Sequence, residues 1–292
     1  MLAKIAPFAA ERGERSMSKF LLKLTRGLRH LEYASELWRC FWVFRRPLRV
    51  LAGYLSLPIT YPFTCETTAG VKVVIMDRPD LVTTWIIFLR DEYVVRPDDR
   101  VIVDCGANIG TFALYAASLS GEPRVVAVEP YPATFRQLRD NVELNGLDGR
   151  VSCVAVALSA SDGDVNMYAA PEVPSHARQV IRPSGPDTVS VPAVSLLSLF
   201  RKLGLETVDL LKMDIEGSEH SVLIHADRNT LGRVKRIALE YHPNHPKRPL
   251  FDHMASMGFV VQHDRVLGRD YGVAEFVRRE HGFCVDASAQ EL

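Results

Sequence analysis

The chain has 292 residues, enough for one large domain plus an extension or for two modest domains. Apolar residues make up 47% and charged residues 24%, ordinary globular usage, so a sizeable buried core is expected. Thirty-five basic side chains cancel 35 acidic ones and no basic stripe follows residue 60, which removes nucleic acid from the expected partners.

The five cysteines, Cys40, Cys65, Cys105, Cys153 and Cys284, are odd in number and contain no CxxC pair. Neither a disulfide framework nor a structural zinc site is expected, and a reducing cytoplasm fits best. Residues 1–60 carry eleven Lys and Arg, from Lys4 to Arg49, yet no apolar run reaches the roughly 18–20 residues that span a bilayer. Arg39, Arg45, Arg46, Pro47 and Arg49 interrupt residues 37–54, and no signal-peptide cleavage pattern follows. Two readings of 1–60 stand. It is a helical extension packed on the domain, or a basic amphipathic segment whose Trp38, Phe41, Trp42 and Phe44 touch an anionic membrane surface, peripheral to its inner face.

In chain order, residues 17–55 have helical spacing (Phe20, Leu21, Leu24, Leu28, Leu31), ended by Pro58 and Pro62. Residues 59–68 and 71–76 read as strands of a hairpin about Gly70. Asp80, after Pro79, is expected to cap a short helix through Phe88. From residue 100 the pattern alternates: strand 101–104, helix 109–119, strand 124–129, helix 132–145, strand 151–156. Turn residues break 157–192, where 165–168 and 188–194 read as inserted hairpin strands. Alternation resumes with helix 195–203, strand 208–213, helix 218–226, strand 234–241, helix 248–257 and strands at 259–263 and 272–277. This predicts an α/β fold, a mostly parallel sheet with an antiparallel C-terminal strand and helices on both faces. The expected organisation is an extension over 1–60 and a domain over 61–292, with its cofactor-binding core at 100–245.

Residues 101–110 (VIVDCGANIG) form a strand ending in Asp104, then Gly106, Asn108 and Gly110 at the mouth of a helix. Glycines there permit a sharp turn and close ligand approach, and asparagine tolerates a left-handed backbone. The next strand ends in Glu129, placed to accept hydrogen bonds from ribose hydroxyls. A nicotinamide and an S-adenosylmethionine site both use this plan. The acid leading the loop would repel a pyrophosphate but can hold a methionine amino group, which favours the methyl donor. The alternative for Asp104 and Glu129 is helix capping or surface charge.

VIVDCGANIGTFALYAA (101–117), VVAVEPYPATFRQLRDNVELNG (125–146), VALSASDGDVNMY (156–168) and VDLLKMDIEGSEHSVL (208–223) together resemble the FkbM-type methyltransferase family, over roughly residues 90–245. The resemblance implies a class I methyltransferase (Rossmann-like) fold, S-adenosylmethionine as cofactor, and methyl transfer to a sugar or natural-product hydroxyl. Carried over by position, Asp104, Gly106, Asn108 and Gly110 hold the methionine part, Glu129 the ribose and Asp162 the adenine edge.

Asp214 and Glu216 end the fourth strand of the core, at the edge where ligands of open α/β sheets bind. A hydroxyl must lose its proton as it is methylated, so a carboxylate base is chemically sensible. Lys212 shares a strand face with Asp214 and could tune an acid or orient the acceptor. Otherwise Glu216 and Glu219 cap the next helix. Glu240 and His242 end the following strand, and His242 is a second base candidate. With His245 and Asp214 it could make a metal site, but the spacing is not specific and no metal is assigned. His176 and His225 read as surface residues. Residues 80–95 (Trp85, Phe88, Arg90, Glu92, Tyr93) and 170–190 flank the edge as acceptor walls, and Tyr131 is placed to stack near the adenosine. The expected function is S-adenosylmethionine-dependent O-methylation of a small-molecule or glycan hydroxyl. The alternatives are an NAD-dependent oxidoreductase on a similar sheet, and a non-catalytic module docked on a membrane.

Overall fold

A computed structural model describes residues 34–119, 121–168, 180–181 and 187–279. The periodicity from Phe20 to Leu31, His176, Cys284 and most of the 170–190 wall lie outside the described residues.

Helices α1 (Ala34–Val43) and α2 (Pro47–Tyr54) precede a hairpin of β1 (Phe63–Glu66) and β2 (Lys72–Ile75), antiparallel as expected, and α3 (Arg78–Leu89). Asp77, not Asp80, caps α3 by accepting from the Asp80 N–H at 3.0 Å. Asp80 is buried and accepts from the Met76 N–H and Gln137 side chain, tying the helix start to its neighbours. The Tyr54 ring stacks on Trp85 at 4.0 Å, while Glu36 accepts from the Trp85 indole at 2.7 Å and pairs with Arg90. These contacts bind α1 and α2 to α3 and bury Cys40 and Phe44 in the core.

The main alternation comprises β3 (Val101–Cys105), α4 (Thr111–Ser118), β4 (Arg124–Val128), α5 (Pro132–Leu144) and β5 (Val151–Val154). A small second sheet follows, of β6 (Ala157–Leu158), β7 (Gly163–Tyr168), β8 (Val180–Ile181) and β9 (Thr188–Val194). The strand expected over 151–156 is split because the chain leaves the main sheet after Val154 and pairs with β9 from Ala157. The chain returns through α6 (Leu196–Lys202), β10 (Val208–Met213), α7 (Glu219–His225), α8 (Arg228–Leu231), β11 (Val234–Tyr241) and α9 (Lys247–Ser256). It ends in β12 (Phe259–Gly268) and β13 (Tyr271–Arg278).

The seven-stranded sheet has the order β12-β13-β11-β10-β3-β4-β5. Neighbouring pairs among β11, β10, β3, β4 and β5 are parallel, whereas β13 runs antiparallel to both β11 and β12. β13 is therefore the single reversed strand of that sheet, inserted between two that share a direction. Every residue of β10 (VDLLKM) is buried, the near-continuous apolar run of a strand covered on both faces. One core cluster lies under α3, α4 and the hairpin around Trp85, Leu114 and Leu138; the other lies under α6, α7 and α9 around Phe200, Leu223 and Met254. Strand order reverses between β3 and β10, so a crevice opens at their carboxyl ends, the ligand position of open α/β sheets.

Candidate active site

The loops after β3, β4 and β10 meet at that crevice. After β3, Gly106, Asn108 and Gly110 all take left-handed backbone conformations (φ +77°, +50° and +90°). The glycines answer to the chain itself. A Cβ on Gly106 would overlap the Asp214 carbonyl oxygen, and one on Gly110 would meet the Leu138 side chain. Close approach at these two positions is between the ends of β3 and β10 and between α4 and α5, and Gly106 also lines the crevice. Gly106→Ala is expected to cost about 3 kcal/mol or more, because backbone oxygen cannot yield as a side chain can. Urea unfolding of the variant checks this; an unchanged midpoint would contradict it.

Asp104 is wholly buried and does not line the crevice. Its carboxylate is 2.9 Å from Lys212 Nζ, which also donates to the Gly106 carbonyl at 3.0 Å. Burial raises the Asp104 pKa against the pull of Lys212. Burial also opposes the Lys212 charge, but Asp104 and Asp214 overcome it and raise its pKa, so the ammonium persists. Lys212 thereby bolts two loops together, and Asp104, expected to hold the methionine part, lies off the cavity wall facing Lys212.

Glu129 behaves differently. Its carboxylate lines the cavity and accepts from the backbone N–H groups of Asn108 (3.0 Å) and Tyr131 (2.8 Å). Burial pushes its pKa up to about 7, partly offset by those two amides. Tyr131 contributes that amide and is absent from the cavity wall. A half-open cavity of about 120 Å³ lies at this edge, concave and lined by both polar and apolar groups as small-molecule sites are. Pro130, Val156, Ala157, Leu158 and Met167 give it an apolar wall, and Asn108, Thr111, Lys212, Asp214 and Glu216 supply polar groups. Asn108 Oδ1 and Thr111 Oγ1 are buried with no hydrogen-bond partner among the described residues. Buried polar atoms left open on a cavity wall await a ligand. An acceptor, a hydroxyl at the start of α4 and a recessed carboxylate match the ammonium, carboxylate and ribose of an amino-acid-bearing nucleoside.

Asp162 is not brought to this cavity. It is exposed and accepts from the Ser195 N–H (2.7 Å) and the Ser198 hydroxyl (2.6 Å), reinforcing the start of α6. Those hydrogen bonds lower its pKa. The expectation that it holds an adenine edge is corrected accordingly: its geometry serves local capping.

At the other end of the cavity, the turn after β10 is pinned by Glu219, which accepts from the N–H groups of Ile215 (2.7 Å) and Gly217 (2.9 Å). Glu219 is therefore structural, while Glu216, at φ +55°, faces the cavity beside Asp214. His242 places Nδ1 3.2 Å from Glu219 and Nε2 3.5 Å from Glu216. Burial works against its charge, but the Glu219 hydrogen bond and the surrounding carboxylates prevail and raise its pKa to about 9. Burial, then the Asp214 charge, lifts Glu216 to about 8. Glu240 accepts from the Tyr93 hydroxyl (3.0 Å) and the Tyr271 hydroxyl (2.8 Å), and burial with the Asp214 charge lifts it to about 7.

Asp214, Glu240 and His242 each bring a ligand atom within 4.8 Å of the others, a set that could hold a divalent cation. His245, the third member suggested by sequence, instead stacks on His220 with ring centroids 4.6 Å apart. His225 is exposed, its Nδ1 2.8 Å from the Ser221 carbonyl oxygen. Sequence reasoning missed Thr111 and Tyr271, and it placed Tyr93 only on an acceptor wall. Tyr271 follows a loop and reaches the site because β13 runs backwards, a reversal with no local motif.

Comparison with known proteins shows the family. The family model described as Methyltransferase FkbM domain matches residues 104–270, more than half of the chain. Methyltransferase sdnD of Sordaria araneosa is 28% identical over 199 residues, covering 58% of this chain and 77% of that protein. The 31-O-demethyl-FK506 methyltransferase FkbM of Streptomyces tacrolimicus is 29% identical over 182 residues, covering 53% and 70%. The 2-O-methyltransferase NoeI of Sinorhizobium fredii (strain NBRC 101917 / NGR234) is 27% identical over 190 residues, covering 57% and 76%. The chain belongs to the FkbM-domain methyltransferases, enzymes whose methyl donor is S-adenosylmethionine.

Proposed function

We propose that the protein is an O-methyltransferase acting on a hydroxyl of a sugar, a glycolipid or a secondary metabolite. The observation that carries this reading is the carboxylate of Asp214 on the cavity wall, with Glu240 and Glu216 grouped about it and lifted to about 7 and 8. An oxygen nucleophile needs a place for its proton at neutral pH; Asp214 with Glu240 behind it provides one, whereas Glu216, lifted to about 8, is mostly protonated there. The names of the FK506 and NoeI relatives, both of which specify methylation at oxygen, support the same reading.

S-Adenosylmethionine supplies an electrophilic methyl group on a sulfonium centre. Glu129 and the open Asn108 and Thr111 atoms bind and orient it from one end of the cavity. Holding acceptor and donor in line supplies a large share of the acceleration. As the acceptor oxygen takes the methyl, Asp214 removes its proton and Glu240 receives it behind Asp214. Tyr93 and Tyr271 hold Glu240 in place through their hydroxyls. His242, with a pKa of about 9, stays an imidazolium that orients Glu216 and Glu219 and does not act as the base.

The proposal predicts a pH dependence. Glu240 faces Asp214, Glu92, His242, Tyr93 and Tyr271, and its raised pKa means that it is protonated below about 7. kcat/KM should fall as pH drops through about 7, and Glu240→Gln should abolish or displace that limb. A profile unchanged by the substitution would remove Glu240 from the proton path. The reaction class is tested by mass spectrometry after incubating the enzyme with S-adenosylmethionine and panels of glycans, glycolipids and polyketides. A gain of one methyl on oxygen supports the proposal; methylation confined to nitrogen or carbon overturns it.

A further inference from the structure

Helix α1 has apolar side chains on opposite faces. Cys40 and Phe44 point into the core, and Glu36 is turned inward onto Trp85 and Arg90. Leu37, Trp38, Phe41 and Trp42 are all exposed on the other side, with Trp38 67% and Trp42 66% accessible. Their positions, i, i+1, i+4 and i+5, fall on one stripe, and the two indoles meet edge to face at 6.0 Å. Leu48, at the start of α2, is 70% accessible. A helix on a water-facing surface normally turns polar residues outward, and this one does the opposite.

The segment that carries the stripe is basic by sequence, although Arg39 is paired with the exposed Asp91 at 2.6 Å. Glu36 is the only acid between residues 34 and 46 and it faces inward, while Arg45 and Arg46 are exposed next to the stripe. Arg45 is paired with Glu66 at 3.0 Å. The preceding 33 residues carry seven Lys and Arg against three acids. Exposed tryptophans on a segment whose sequence carries net positive charge match a phospholipid surface, where indoles settle at the headgroup level and cations meet anionic lipid. No helix among the described residues is long and apolar enough to cross a membrane, so the contact is interfacial.

We propose that the outer face of α1 docks the protein on an anionic phospholipid bilayer. The docking helix is braced to α3 through Glu36, and Thr83 and Ile87 of α3 line the cavity, so docking orients the cavity relative to the bilayer.

The test is flotation of the full chain with vesicles of phosphatidylcholine mixed with phosphatidylglycerol, and of phosphatidylcholine alone. The wild type is expected to float with the mixed vesicles and far less with phosphatidylcholine. Tryptophan emission should move to shorter wavelength on binding, a signal from Trp38 and Trp42 because Trp85 is already fully buried. Trp38→Ser/Trp42→Ser should lose tenfold or more of the partitioning with an unchanged thermal midpoint. Arg46→Glu should weaken binding to the mixed vesicles only. Absence of flotation, undiminished flotation of the double variant, or a wild type whose exposed tryptophans resist acrylamide without vesicles overturns the proposal. The last result would mean that a second copy or another part of the chain covers the face.

Discussion

Lys212→Met is expected to destabilise the fold by about 3–5 kcal/mol, because it strands the Asp104 carboxylate without a counter-charge in a fully buried position. Loss of the Nζ hydrogen bond to the Gly106 carbonyl also frees the loop that carries Asn108. Adding Asp104→Asn removes the stranded charge and should recover much of the stability. Urea unfolding of wild type, single and double variants gives the comparison. A single variant that loses under about 1 kcal/mol would mean that the pair is not the bolt described here. Cofactor affinity should remain reduced in the double variant even where stability returns, since the tie to Gly106 is still missing.

Asp214→Asn is expected to lower kcat by about 10²–10⁴-fold while leaving cofactor binding nearly intact. Its structural contributions come from the backbone: the N–H donates to the Cys105 carbonyl at 3.0 Å, and the carbonyl oxygen packs against Gly106. Asparagine keeps both; it removes the base together with the negative charge that helps hold Lys212 protonated and lifts Glu216 and Glu240. Single-turnover methyl transfer and a separate binding titration distinguish the two effects. Equal losses in affinity and rate would assign Asp214 to holding the cofactor instead.

Much of the site was legible in the sequence because its parts lie close along the chain. The strand, the left-handed loop and Glu129 occupy about one βαβ unit, and the Asp214–Glu219 turn is another short motif. Legibility failed where a residue's partner is remote. Asp104 looked free until the parallel register of β3 with β10 set it beside Lys212. Asp162 looked like a ligand residue because it follows the third strand, yet its partners are Ser195 and Ser198. The glycines were placed correctly and explained incompletely, since their neighbours Asp214 and Leu138 come from other elements. Tyr271 joins Glu240 only through the reversed β13, which side-chain periodicity does not encode. At α1 the local pattern was visible, but only burial shows which apolar face is outward.

The claim on which the rest stands is that the cavity beside Glu129 binds the cofactor. Calorimetric titration with S-adenosylhomocysteine tests it directly, using the wild type and Glu129→Ala. The wild type is expected to bind stoichiometrically and the variant to lose about ten- to hundredfold in affinity, the worth of charged hydrogen bonds to ribose. No binding to the folded wild type, or equal affinity in the two proteins, would contradict it.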